Sequence, residues 1–125
     1  MTLGSAELVI LLVEDDPIIL LDTSMTLHRL GAGRVDAALT LAEAEAFVNR
    51  QRPTVAVMDI ELRDGTSFLL ADRLQREGTA CVFTTGHGAE LPIPPDLKDL
   101  PIIAKPYDPE QLLLVLKPYL DREAS

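Results

Sequence analysis

Val55-Ala56-Val57-Met58-Asp59 is four apolar residues in a row, closed by a carboxylate. An apolar run without alternation reads as a strand covered on both faces, and short parallel strands between helices have that pattern. Three other segments repeat the form: Leu8–Val13 ends in Glu14-Asp15-Asp16, Cys81–Phe83 in Thr84-Thr85, and Ile102–Ala104 in Lys105-Pro106. In an open parallel sheet the carboxyl ends of the strands meet at one edge, where ligands bind. Residues distant in sequence are therefore expected to converge there. They bring several carboxylates, a hydroxyl and one ammonium, which suits a divalent cation and a phosphoryl group.

Helical signals fill the gaps between the runs. Asp16-Pro17 supplies an N-cap and a first-turn proline. In the helix that follows, Leu21, Met25 and His28 share one face, with Leu20, Leu27 and Leu30 beside it, and Gly31 and Gly33 end it. Arg34–Ala37 is a short second strand. Thr40 and Glu43 form a capping-box pattern for a helix to about Arg50 that buries Leu41, Ala44 and Val48. Asp64-Gly65 is a turn, and Ser67 to about Glu77 a third helix with Phe68, Leu70, Ala71 and Leu74 inward. Asp108-Pro109 opens a last helix that buries Leu112, Leu113, Val115, Leu116 and Leu120 and frays at Pro118. Between Thr85 and Pro101 another helix is due, but two glycines and three prolines oppose it. At most a turn near Asp96–Leu100 is expected. Alternating strands and helices make the class α/β with a parallel sheet.

The chain has 125 residues and a formal net charge of -9. That length suits one domain with a real core. The acidity argues against direct contact with nucleic acid or an anionic membrane surface. No apolar run reaches the roughly 18 to 20 residues needed to span a bilayer, and Met1 to Glu7 lacks the basic region of a signal peptide. Cys81 sits in an apolar run and reads as a buried, inert thiol. A cytoplasmic protein is expected. His28 and His87 are far apart without a cysteine or histidine cluster, so no zinc site is expected.

Mg²⁺ (or Mn²⁺) wants oxygen ligands, commonly one or two carboxylates together with phosphate oxygens. Asp15 and Asp59 can supply them, Glu14 can bind through a water, and the backbone carbonyl of Glu61 can close the site. Asp59 is the candidate nucleophile, since a carboxylate can attack phosphorus to give an acyl phosphate. Phosphoryl transfer then needs charge neutralised on the equatorial oxygens. The Lys105 ammonium and the Thr85 hydroxyl can share that task with the metal. The Lys105-Pro106 bond is a candidate for the cis form, which is far less costly before proline.

Leu11-Leu12-Val13-Glu14-Asp15-Asp16-Pro17, Val55–Leu62, Thr85 and Lys105-Pro106, in that order and spacing, resemble the receiver domain of two-component response regulators. The resemblance runs along nearly the whole chain. It implies a doubly wound, flavodoxin-like sheet of five strands in the order 2-1-3-4-5. It also implies a single receiver domain over 1–125 with a core of about 7–121 and no output domain. The partner it implies is a sensor histidine kinase or phosphotransfer protein, whose phosphohistidine phosphorylates Asp59 with Mg²⁺. The product is a signalling switch for some downstream protein, with slow self-dephosphorylation at most, and not an enzyme.

Arg63 stands where the family often has proline, Ile102 where it often has an aromatic switch residue, and Gly86 where alanine is common. Val82–His87 is similar to a Phe-Ala-Thr-Gly-x-Tyr signature of mostly single-domain receivers with a poorly ordered fourth helix, although Thr84 replaces its alanine. The Gly86–Leu100 loop is accordingly expected to respond to phosphorylation. Two other readings compete. Asp59-Ile60-Glu61 followed by Thr66 is similar to the start of haloacid-dehalogenase-like phosphatases, with Asp59 again the nucleophile. A receiver-like binding module that has lost phosphorylation is the third reading.

Overall fold

Every residue of Val55–Asp59 is buried, as its unbroken apolar run requires. The computed structural model that shows this describes residues 8–86 and 92–124. In chain order its elements are β1 (Val9–Val13), α1 (Pro17–Arg29), β2 (Arg34–Ala38), α2 (Leu41–Arg50) and β3 (Val55–Asp59). There follow the two-residue strands β4 (Glu61–Leu62) and β5 (Gly65–Thr66), α3 (Phe68–Arg76), β6 (Ala80–Thr85), β7 (Ile102–Ala104) and α4 (Pro109–Ala124).

The main sheet has the order β2-β1-β3-β6-β7, all parallel. Counted over its own five strands, this is the expected 2-1-3-4-5. β4 and β5 form a separate antiparallel hairpin. The chain winds outward in opposite directions from β1 and β3, so the switch point lies between their carboxyl ends. That is where a crevice opens in a doubly wound sheet.

Alternate residues of each strand feed two cores. Leu11, Val13, Ala56, Met58, Cys81 and Phe83 pack with Phe47 and Val48 of α2 and with Leu70 and Leu74 of α3. Ile10, Leu12, Val55, Val57 and Val82 pack with Leu20 and Leu27 of α1 and with Leu112 and Leu116 of α4. Burial on both faces explains why the central strands lack polar alternation. Burial also pushes the Cys81 thiol up to about 12, so it stays a neutral core residue.

The helix starts follow the local signals. Asp16 Oδ1 accepts the N–H of Ile18 at 2.9 Å and of Ile19 at 3.3 Å. Thr40 Oγ1 accepts the N–H of Glu43 at 3.1 Å, while the Glu43 carboxylate reaches Leu39 N–H at 2.9 Å. Asp108 and Gln111 exchange a reciprocal pair, both at 2.9 Å, so the last helix also has a capping box.

Two local readings differ from the structure. On α1 the buried residues are Leu20, Thr23, Thr26 and Leu27. Leu21 and Met25 are exposed, at 63% and 50%, because α1 instead buries Leu20 and Leu27 in the core and Thr23 and Thr26 beside Tyr107 and Leu112. α4 runs through Pro118 to Ala124 without ending. Pro118 and Leu114, whose carbonyl loses its donor, both lie on the exposed side, where water can take the donor's place. The side chain of Leu120 and the whole of His87 lie outside the described residues.

Among the described residues of the segment where a fourth surface helix was due stands a 3-10 turn, Pro95–Leu97. Leu97 is 1% exposed and joins the core on the α3 side, with Ile93 and Leu100 against it. Apolar side chains thus close that side of the sheet although the prolines exclude a helix. No helix among the described residues is long and apolar enough to cross a membrane.

Candidate functional site

The carboxyl ends of β1, β3, β6 and β7 meet at an open pocket of about 310 Å³. Asp15, Asp59, Glu61, Leu62, Thr85, Gly86 and Lys105 line it. Strand register brings them together: Val13 pairs with Met58, Asp59 with Thr84, and Thr85 with Ala104. Each polar residue follows its strand's last buried positions, so the sheet delivers all of them to one edge.

Lys105 is the hub. Its Nζ donates to Glu14 Oε1 at 2.8 Å and to Asp59 Oδ2 at 2.9 Å. The three side chains are nearly buried, at 14%, 5% and 8% exposure. The second Glu14 oxygen accepts the Asp16 N–H at 3.0 Å. Backbone bonds fix the strand ends: Glu14 N–H to Ala38 O at 3.0 Å, Ile60 N–H to Thr84 O at 2.9 Å, and Lys105 N–H to Thr85 O at 2.8 Å. The Lys105–Pro106 peptide is cis. A Cβ on Gly86 would lie 3.4 Å from Lys105 Cε, in van der Waals contact with the lysine stem.

Glu14, Asp15 and Asp59 each present a ligand oxygen within 4.8 Å of the others. An all-oxygen, carboxylate-rich set on an open pocket fits a hard divalent cation, and it offers no sulfur or imidazole for a softer one. Every residue expected from sequence is thus near the site. Glu14 places one oxygen on Lys105 and the other on the Asp16 N–H. Thr85 is buried beside the pocket.

Burial pushes the Asp59 carboxyl up from 3.8 to about 6, against the hydrogen bond and charge of Lys105; Glu14 and Asp15 add to the rise. For Lys105, burial works against the charge, but its bonds to Glu14 and Asp59 outweigh it and hold the ammonium above its ordinary value. The unfolded chain releases the Asp59 proton near 3.8, the folded protein only near 6. Between those values the folded state holds more protons, so stability falls as pH rises through the window. Asp59→Asn removes this loss, and Lys105 keeps Glu14. The variant should gain about 1–2 kcal/mol on wild type between about pH 4 and about pH 7, after a discount for the pocket's solvent. Thermal unfolding without divalent metal checks it; a gap independent of pH would refute it.

Two supports were not legible as such. Ser67 reads as a helix start, yet it is fully buried, and its hydroxyl donates to Asp59 O at 2.8 Å while its N–H donates to Ile60 O at 2.9 Å. Ser67→Ala should cost about 1–3 kcal/mol in urea unfolding, because a buried acceptor loses its donor. Asp64 reads as a turn residue, yet its carboxylate reaches the start of α2. Each needs a partner that only the fold supplies.

A family model for the response regulator receiver domain matches residues 10–117. The Phyllosphere-induced regulator PhyR of Methylorubrum extorquens is 30% identical over 110 residues, 86% of this chain and 41% of that protein. The chain therefore spans about two-fifths of the length of that curated relative, the 41% just given. The solution structure of SdrG from Sphingomonas melonis Fr1 matches with a TM-score of 0.78 at 30% identity, covering 94% of this chain and 99% of that one. A CheY-like receiver domain protein from Methanospirillum hungatei JF-1 matches with a TM-score of 0.78 at 28% identity, covering 94% and 96%.

Proposed function

The chain belongs to the response regulator receiver domain family, and from that premise we propose that Asp59 accepts a phosphoryl group from a phosphohistidine. The donor is a sensor histidine kinase or a phosphotransfer protein. The observation that carries the reading is the Lys105 ammonium 2.9 Å from a buried Asp59 oxygen, beside a three-carboxylate cluster. An inert acidic surface has no need of a buried cation held on its nucleophile.

An Asp59 oxygen forms a bond to phosphorus as the phosphorus–nitrogen bond breaks. The electron pair stays on the imidazole, which leaves with a proton from solvent. With its carboxyl near 6, Asp59 is mostly ionised at neutral pH and can attack. Lys105 shifts from the Asp59 carboxylate to a phosphoryl oxygen, where its charge compensates the transferred group. The buried Thr85 hydroxyl donates to a further phosphoryl oxygen. Glu14, by keeping hold of Lys105, orients it through the transfer. Asp15, Asp59, the Glu61 backbone carbonyl and, through a water, Glu14 would hold Mg²⁺ (or Mn²⁺), which would supply positive charge to offset that of the phosphoryl oxygens.

The modified protein is a signalling state that alters contacts with a downstream protein, by a shift between two conformations. Direct nucleic-acid contact is disfavoured by the net charge of -9. Family membership over residues 10–117 supports this reading over a haloacid-dehalogenase-like phosphatase. Incubation with acetyl phosphate and Mg²⁺, read by intact mass, tests it: one phosphoryl group should be gained and held. No gain would leave the unphosphorylated binding module as the better reading, and steady phosphomonoester turnover would favour the phosphatase.

A further inference from the structure

We infer that Asp64 is a positioning residue for the metal-binding edge of the pocket, because it latches the β4–β5 hairpin to the N-terminus of α2. The inference rests on reading Asp15, Asp59 and Glu61 as the Mg²⁺ site.

Asp64 lies at the exposed hairpin tip, yet both its oxygens are engaged. Oδ1 accepts the N–H of Leu41 at 3.0 Å, and Oδ2 accepts that of Ala42 at 3.1 Å. These are the first two donors of α2, which have no partner inside the helix. The third, Glu43 N–H, already goes to Thr40 Oγ1. α2 therefore has its own cap, and Asp64 adds a second from 23 residues along the chain. The bond from Leu41, foremost, and that from Ala42 hold the Asp64 carboxyl below its ordinary value, so it is ionised at neutral pH. A second contact lies beside the first. Gly65 has φ +137, and a Cβ there would stand 3.3 Å from Leu41 Cδ1. The hairpin tip thus meets α2 by hydrogen bonds and by close packing.

The hairpin is pinned at its base by Ser67, through Asp59 O and Ile60 O. Glu61 lies between that base and the Asp64 tip, on the pocket wall. The same approach to α2 holds the opposite wall, since Ala38 O accepts the Glu14 N–H at 3.0 Å. The Ala38 carbonyl and the Leu41 and Ala42 amides are therefore the anchors, the first for Glu14-Asp15 on one side of the pocket and the other two for the hairpin that carries Glu61 on the other. Loss of the Asp64 bonds leaves the hairpin tip held to α2 by packing alone. The Glu61 carbonyl then samples more positions, and a cation requiring near-octahedral oxygens at about 2.0–2.1 Å is held less well.

The test is a Mg²⁺ titration of the full chain, followed by the amide shifts of Asp59 and Ile60, with thermal unfolding of each variant. Asp64→Ala should raise the half-saturating Mg²⁺ concentration about three- to tenfold. Asp64→Asn keeps an acceptor without the charge and should fall between Asp64→Ala and wild type. Thr40→Ala removes the other cap of the same helix without touching the hairpin, and should lower thermal stability while leaving Mg²⁺ affinity unchanged. An unchanged midpoint in Asp64→Ala overturns the inference. So does an equal shift in Thr40→Ala, which would trace the effect to helix stability, and an Asp64→Asn as weak as Asp64→Ala, which would trace it to charge. A wild type that shows no Mg²⁺-dependent shifts overturns the inference together with its premise. A wild type that binds Mg²⁺ but gains no phosphoryl group overturns the proposed phosphoryl acceptance alone, and the variants still decide the latch.

Discussion

Asp59→Ala should gain no phosphoryl group under conditions that phosphorylate the wild type. The effect is the largest expected for this chain because it deletes the proposed nucleophile itself. The other carboxylates are poor substitutes. Glu14 has both oxygens committed, one to Lys105 and one to the Asp16 N–H. Asp15 has no lysine on it among the described hydrogen bonds, so attack from its oxygen would lack the neighbouring charge. Intact mass after acetyl phosphate and Mg²⁺ gives the readout, and phosphotransfer from the organism's histidine kinases gives the physiological one. An equal gain on Asp59→Ala would relocate the acceptor and undo the assignment of the whole pocket. Because the substitution also relieves a buried charge, its thermal stability should not fall, which keeps the loss of uptake from being read as misfolding.

Lys105→Met should lower phosphoryl uptake about 10²-fold, the scale on which a group that stabilises transition-state charge usually acts. Methionine keeps the aliphatic stem beside Gly86 and removes only the ammonium. The effect has two physical parts. The transferred group loses a compensating charge, and Glu14 and Asp59, at 5% and 8% exposure, lose the cation between them. Wholly buried pairs broken from one side lose about 3–5 kcal/mol, and the open pocket reduces this to about 1–3 kcal/mol. The Asp59 carboxyl should also move further above 6, so the rate profile shifts to higher pH. Single-turnover uptake as a function of pH, with denaturant unfolding, separates the parts. Uptake at the wild-type rate with lowered stability would make Lys105 a structural residue only.

Much of the site was legible because its signals are local. An apolar run followed by Asp59, or by Glu14-Asp15, announces both a buried strand and the polar group at its end. Parallel strands then leave little choice about where those ends meet. The helix caps at Asp16, Thr40 and Asp108 are likewise short-range, set by side chains two or three residues from the amides they serve. That the described residues 92–101 form a 3-10 turn and no α-helix was legible for the same reason: three prolines act on their own backbone whatever surrounds them. The exposed face of α1 was harder to read. Leu21 and Met25 have the spacing of a buried stripe, but Thr23 and Thr26 are buried instead, beside Tyr107 and Leu112, and a buried hydroxyl carries no hydrophobic signal.

The sequence by itself determined the class of fold, the edge at which the site forms and the chemical inventory found there. Those follow from hydrophobic runs, caps and helix breakers that act within a few residues. Tertiary structure alone decided which group serves which. It set Lys105 on Glu14 across 91 residues and on Asp59 across 46, and the Asp64 carboxylate on the first amides of α2 across 23. Hydrogen bonds of about 3 Å depend on strand register and on how close loop and helix come. No local pattern encodes that proximity; it arises only when the sheet and its two layers of helices have packed.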